Sequence, residues 1–131
     1  MTAGSDLRWF DSHCHLGDDA VEVVQRAGEA GVVGMVTIGT DLAESRAAIE
    51  TARRFDGVWA TVGVHPHEAR FRLTGIAELL DDDVVVAVGE AGLDFHYDHS
   101  PRDVQVDVFA AQVALANERG MPLVIHTREA W

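Results

Sequence analysis

The sequence predicts an α/β protein with parallel strands, built as part of a TIM-type (β/α)8 barrel of which about five strand units are present. Three observations predict it. Strand-like and helix-like segments alternate with a period of roughly 30 residues. The strand-like segments are continuously apolar, as parallel strands buried on both faces require. Chemically active side chains recur at the ends of several different strands. That last feature favours a barrel over an open doubly wound sheet, the other architecture this alternation allows.

The first short strand falls within Arg8 to His13, the second over Val32 to Ile38 and the third over Val58 to Val64. Val84 to Val88 forms the fourth, and Pro122 to Ile125 opens the fifth. Between the first two, Val21, Val24 and Ala27 mark a packed helix face, which Gly31 ends. Asp41, with Glu44 three residues on, resembles a capping box before a helix over residues 45–55. A third, shorter helix is expected around Leu73 to Leu80. Ser100 reads as an N-cap, Pro101 as the first helical residue, and Asp103 favours the positive helix end. Val104, Val108, Ala111 and Leu115 then recur at helical spacing as a core-facing stripe. Gly120 stops that helix and Pro122 begins the next extended run.

With 131 residues, 47% of them apolar, the chain suits one domain with its own core. No apolar stretch approaches the roughly 20 residues that cross a bilayer, so no membrane association is expected. Met1 to Asp6 has neither a basic nor an apolar region, so a signal peptide is not expected and a cytoplasmic location is. The single cysteine, Cys14, has no internal disulfide partner. Ten basic residues against 22 acidic ones give a formal charge of -12. This balance excludes the broad basic face of tight, non-specific duplex binding. A nuclease remains compatible with it, because divalent cations and one or two arginines can offset phosphate charge locally. Gly89-Glu90-Ala91-Gly92 lacks the spacing of a dinucleotide fingerprint, and no phosphate loop ending in Gly-Lys-Ser/Thr is present.

His13 and His15 are two residues apart, which on an extended chain puts both side chains on one side. Two neutral imidazoles placed this way can chelate a divalent metal, and Asp11 could anchor one of them. The same pair could also serve only to satisfy backbone groups at a strand end. Glu90 closes an apolar run, where a carboxylate is costly unless paired or metal-bound. Its two oxygens could bridge two ions about 3.5–4 Å apart; a buried arginine partner is the plainer alternative. His126 ends the fifth strand and is the natural companion of Glu90 at a second metal. Arg128, two residues on, has the fork that binds phosphate, or pairs with a surface acid.

His65 and His67 flank Pro66 after the third strand, where they could reach a substrate phosphate, orient a ligand or simply end the strand. His96, Tyr97 and His99 either line a substrate groove or lie in an exposed loop. Cys14 should point away from its histidine neighbours and act as a small buried hydrophobe. Asp81-Asp82-Asp83 reads as a solvated turn.

Four motifs in order give the chain a family likeness: Asp11-Ser12-His13-Cys14-His15-Leu16, Gly63-Val64-His65-Pro66-His67, Gly89-Glu90-Ala91-Gly92-Leu93-Asp94 and Ile125-His126-Thr127-Arg128-Glu129-Ala130. From Phe10 through Ala130 the sequence resembles the TatD family of metal-dependent hydrolases, often described as TatD DNases, within the amidohydrolase-like barrels. The resemblance implies the N-terminal portion of one barrel, lacking its last three strand units. It implies two divalent ions (Mg, Mn or Zn) in the complete site. His13 and His15 would hold the first, Glu90 would bridge both, and His126 would hold the second. Glu90, Arg128, His65 and His67 would form the catalytic group, with Arg128 orienting phosphate. The family adds a later histidine and an aspartate that have no counterpart in these residues. His96 stands where the family commonly has a second aromatic, and Ala91 where a larger aliphatic is usual. The implied reaction is hydrolysis of DNA phosphodiesters by metal-activated water. A small phosphoester, ester or amide is the alternative substrate class. A second alternative is an inactive fragment that binds metal weakly and either self-associates or lacks a C-terminal portion.

Overall fold

The computed structural model describes residues 6–131. Five strands alternate with helices: β1 (Trp9–Cys14), α1 (Ala20–Glu29), β2 (Val32–Thr37), α2 (Leu42–Arg54), β3 (Val58–Val62), a 3-10 helix (Pro66–Phe71), α3 (Ile76–Leu79), β4 (Val85–Asp94), α4 (Arg102–Arg119) and β5 (Leu123–Arg128). The sheet order is β1-β2-β3-β4-β5 and every pairing is parallel. This is the wall of an incomplete (β/α) barrel, with each strand beside its neighbour in sequence. No helix is long and apolar enough to cross a membrane among the described residues.

The helices coat one face of this wall. In α2, Ser45, Ala48, Ile49 and Ala52 are buried at the spacing of one helical face. Ala48, Ile49 and Ala52 join Met35, Val58, Ala60 and Val62 of the sheet in the core. Asp41 caps α2 as expected, its carboxylate accepting from the Glu44 amide at 2.7 Å. The helix therefore begins at Leu42, earlier than residue 45. The Ser45 hydroxyl both donates to the Gly63 carbonyl (3.3 Å) and accepts from the Gly63 amide (3.2 Å), tying the helix to the end of β3. In α1, Val24 and Ala27 pack on the core, but Val21 is 54% exposed. The inward face of α1 runs through Ala20, Val24 and Ala27, and Val21 lies about 100° around the helix from Ala20. Gly31, at φ +93°, turns the chain into β2, and its carbonyl accepts from the Trp9 amide of β1 at 2.9 Å.

Several expectations need correction. Ser100 is not the N-cap of α4; Pro101 holds that position. The Ser100 hydroxyl is buried and already engaged, donating to the His67 carbonyl and accepting from the Arg70 amide. Ala111 is exposed, and the most buried line of α4 runs Gln105, Val108, Gln112, Ala116. The two glutamines are inside because they satisfy strand ends. Gln112 accepts from the Val64 amide (2.9 Å) and donates to the Val64 carbonyl (3.0 Å). Gln105 does the same for Asp94, at 2.8 and 3.0 Å. The third helix is a single turn, Ile76–Leu79. Strand β4 runs on to Asp94 instead of stopping at Val88, because residues 91–94 pair with 125–128 of β5.

Glycines let the strand ends approach closely. A Cβ on Gly63 would sit 2.6 Å from the Gly89 backbone. Gly63→Ala is therefore expected to cost about 1–3 kcal/mol through overpacking. Gly28, in α1, has nothing within 4 Å of the same added atom. Gly28→Ala should instead stabilise the chain by about 0.5–1 kcal/mol. Urea unfolding midpoints check the pair. Equal shifts would show that the β3–β4 approach is not tightly packed.

Candidate metal centre

Strand ends supply every side chain of the site, as in other parallel barrels. His13 lies in β1 and His15 just past it, His65 and His67 follow β3, Glu90 and Asp94 lie within β4, and His126 and Arg128 within β5. The register sets Gly92 beside His126 and Asp94 beside Arg128. Gly92, at φ +153°, is required here, since a Cβ would fall 1.8 Å from the His126 carbonyl oxygen.

Glu90 is the hub. Its residue is 8% exposed, and its two carboxylate oxygens face different histidines. Oε2 lies 3.6 Å from Nε2 of His13, and Oε1 lies 3.1 Å from Nδ1 of His126. Nε2 of His65 approaches the same His126 nitrogen at 3.3 Å. Two donor triads result, His13–His15–Glu90 and His65–Glu90–His126, with ligand atoms within 4.8 Å of one another in each. The partners of Glu90 are thus imidazoles, and the buried-arginine alternative does not describe it. Burial, reinforced by His126 and His67, pushes the His65 imidazole down to about 3. A neutral imidazole beside a carboxylate is the donor chemistry that a divalent metal requires.

Asp94 is the functional residue that sequence reasoning passed over, although it stood inside a quoted motif. It is fully buried. Its Oδ2 lies 2.9 Å from Nε2 of His67 and 3.0 Å from Nε2 of His126, while Oδ1 accepts the amides of His96 (3.2 Å) and Tyr97 (3.1 Å). Burial alone would raise its carboxyl. Donation from the Tyr97 amide and the bonds with His67 and His126 outweigh that and hold it well below the usual carboxylate range. Asp94 offers an acceptor to Nε2 of His126, and with a metal on the Glu90 side Nδ1 would be the donor atom. The available signal was its spacing. Asp94 is four residues from Glu90, the same face of an extended strand.

The remaining expectations separate cleanly. His67 is drawn to Asp94 and lies outside both triads. Arg128 is an ion-pair partner of Asp94 (3.8 Å) and lies over the Tyr97 ring. Asp11 accepts from the His13 backbone amide at 3.1 Å, so it braces the β1 backbone and not an imidazole. The Cys14 thiol donates to the Val36 carbonyl and is pushed up to about 11 by burial and by Asp11, which suits an inert residue. His96 pairs with Glu129 at 3.2 Å in the exposed loop. Asp81 and Asp82 pair with Arg119 and Arg53 on the surface.

Known proteins share this arrangement of sequence and fold. Residues 10–131 match the family model described as TatD related DNase. The uncharacterized metal-dependent hydrolase YabD of Bacillus subtilis is 40% identical over 130 residues, covering 92% of this chain and 51% of the relative. The 3'-5' ssDNA/RNA exonuclease TatD of Klebsiella pneumoniae is 45% identical over 116 residues, covering 86% of this chain and 44% of the relative. The crystal structure of YJJV, a TatD homolog from Escherichia coli, superposes with a TM-score of 0.81 at 27% identity, covering 93% of this chain and 51% of that one. The chain spans about half the length of the curated relatives it matches. The ordered motifs, the parallel half-barrel and the matched family model together make this chain a member of the TatD-related DNase family of metal-dependent hydrolases.

Proposed function

We propose that these residues form the N-terminal part of a two-metal phosphodiesterase acting on single-stranded nucleic acid. The observation that carries the proposal is the division of the Glu90 carboxylate between two histidine groups. The donor set fits two divalent ions. His13, His15 and Glu90 would hold one, and Glu90 with His126 the other, with His65 in reach of the second. Bound ions supply a water activated at neutral pH and neutralise charge at the phosphate. Asp94 fixes the orientation of His126, and His67 helps to position Asp94. Arg128 would meet a phosphate oxygen on leaving its contact with Asp94. The nucleic-acid substrate is supported by relatives named as ssDNA/RNA exonucleases. The formal charge of -12 favours such local phosphate binding over broad duplex contact. Turnover, in this proposal, requires further polypeptide to complete the barrel and its remaining ligands.

Calorimetric titration with Mn2+, paired with hydrolysis of a single-stranded oligonucleotide and of bis(4-nitrophenyl) phosphate, tests this. We expect two ions per chain, with oligonucleotide cleavage when the barrel is complete. An absence of metal uptake would return the inactive-fragment reading. Ester turnover by the completed barrel with the oligonucleotide left intact would move the substrate to a small phosphoester.

A further inference from the structure

One group beside the metal centre has no part in the chemistry above. Tyr97 follows β4, and its backbone amide is held by Asp94, the same carboxylate that bonds His126. Tyr97 is 51% exposed. His99 stacks on it with centroids 5.5 Å apart and planes 12° from parallel. The Arg128 guanidinium lies over it at 5.1 Å, and His67 meets it edge-on at 5.8 Å. A half-exposed aromatic with a stacked imidazole and a half-exposed guanidinium, anchored to the carboxylate that also bonds His126, offers a flat surface beside the metal donors.

Resting on the phosphodiesterase reading, we propose that Tyr97, backed by His99, is a stacking subsite for a nucleobase flanking the scissile phosphate. Arg128 serves both states. Without substrate it covers the tyrosine ring and neutralises Asp94; with substrate it turns to a phosphate oxygen, and the base takes its place on the ring. Base stacking on an aromatic is tolerant of sequence, since every base has a π-face, so this subsite favours strands without selecting a base. It also selects single strands over duplex, because paired bases are already stacked and do not present a face to the protein. The formal charge of -12 disfavours a broad basic track for the backbone.

Fluorescence anisotropy tests the assignment. A labelled ten-nucleotide phosphorothioate oligo(dT) and its abasic counterpart are titrated, with Mn2+ present, against the wild-type chain, Tyr97→Leu and Tyr97→Phe. The wild type should bind the base-bearing strand at least about fivefold more tightly than the abasic one. Tyr97→Phe should keep that ratio and Tyr97→Leu should reduce it to near one. A ratio that survives Tyr97→Leu would overturn the stacking subsite while leaving the nucleic-acid reading intact. A wild-type ratio of one would do the same, without relying on any variant to fold. Binding of neither strand would overturn both.

Discussion

Glu90→Gln is expected to abolish metal uptake at both positions while leaving the fold in place. The amide keeps the shape of the side chain, but it has no negative charge to share between the two histidine groups. Loss of one carboxylate therefore weakens two sites together, by more than the roughly 10–100-fold typical of outer ligand partners. Thermal unfolding with and without Mn2+ measures this independently of activity. Each ion at a hundred times its dissociation constant stabilises the wild type by about 2.7 kcal/mol, or close to 10 °C in a chain of this size, so two ions give about twice that rise. The variant should show almost no metal-dependent rise. A rise equal to that of the wild type would remove Glu90 from the site.

Asp94→Asn should do something more selective. The asparagine fills the same buried space, yet it cannot accept from His67, His126 and two backbone amides as a carboxylate does. His126 loses the carboxylate acceptor at Nε2 that orients the ring and would favour Nδ1 as the metal donor. Affinity at the His65–Glu90–His126 triad should fall about 10–100-fold, whereas His13–His15–Glu90 has no contact with Asp94 and should hold its ion. Titration at limiting Mn2+ would then read one ion per chain instead of two. A cost of about 1–3 kcal/mol in folding stability accompanies the change, from polar groups left unsatisfied in the interior. Two ions held at wild-type affinity would show that Asp94 is only a structural brace.

The difference between these two residues also marks how far the sequence could be read. Strands announced themselves through apolar runs, and the donors were legible because His13, Glu90 and His126 each interrupt or end such a run. Asp94 was harder, since its spacing from Glu90 is the one local signal and its partners lie far off in sequence, on β5 and after β3. The same reason hid the true face of α4. Gln105 and Gln112 look like surface residues until the backbone ends of Val64 and Asp94 are placed beside them. Glu90 closes the apolar run of β4 in sequence yet lies inside the strand, because Gly89 and Gly92 admit close passage of β5 and the pairing continues. Ser100 was read as a cap because Ser before Pro is a common local signal; its hydroxyl was already committed to the loop around His67.

The glutamine clamps on α4 have a mechanical consequence. Gln105 and Gln112 are seven residues apart, two helical turns, and they grip the chain on either side of the site: one before His65, the other at Asp94 itself. The outer helix thus sets the phase of two inner strands. Inserting or deleting one residue between the glutamines would turn the second by about 100° relative to the first. One strand end would stay in its grip and the other would be let go, detuning the His65–Glu90–His126 triad from the outside of the wall without altering any residue that faces a metal.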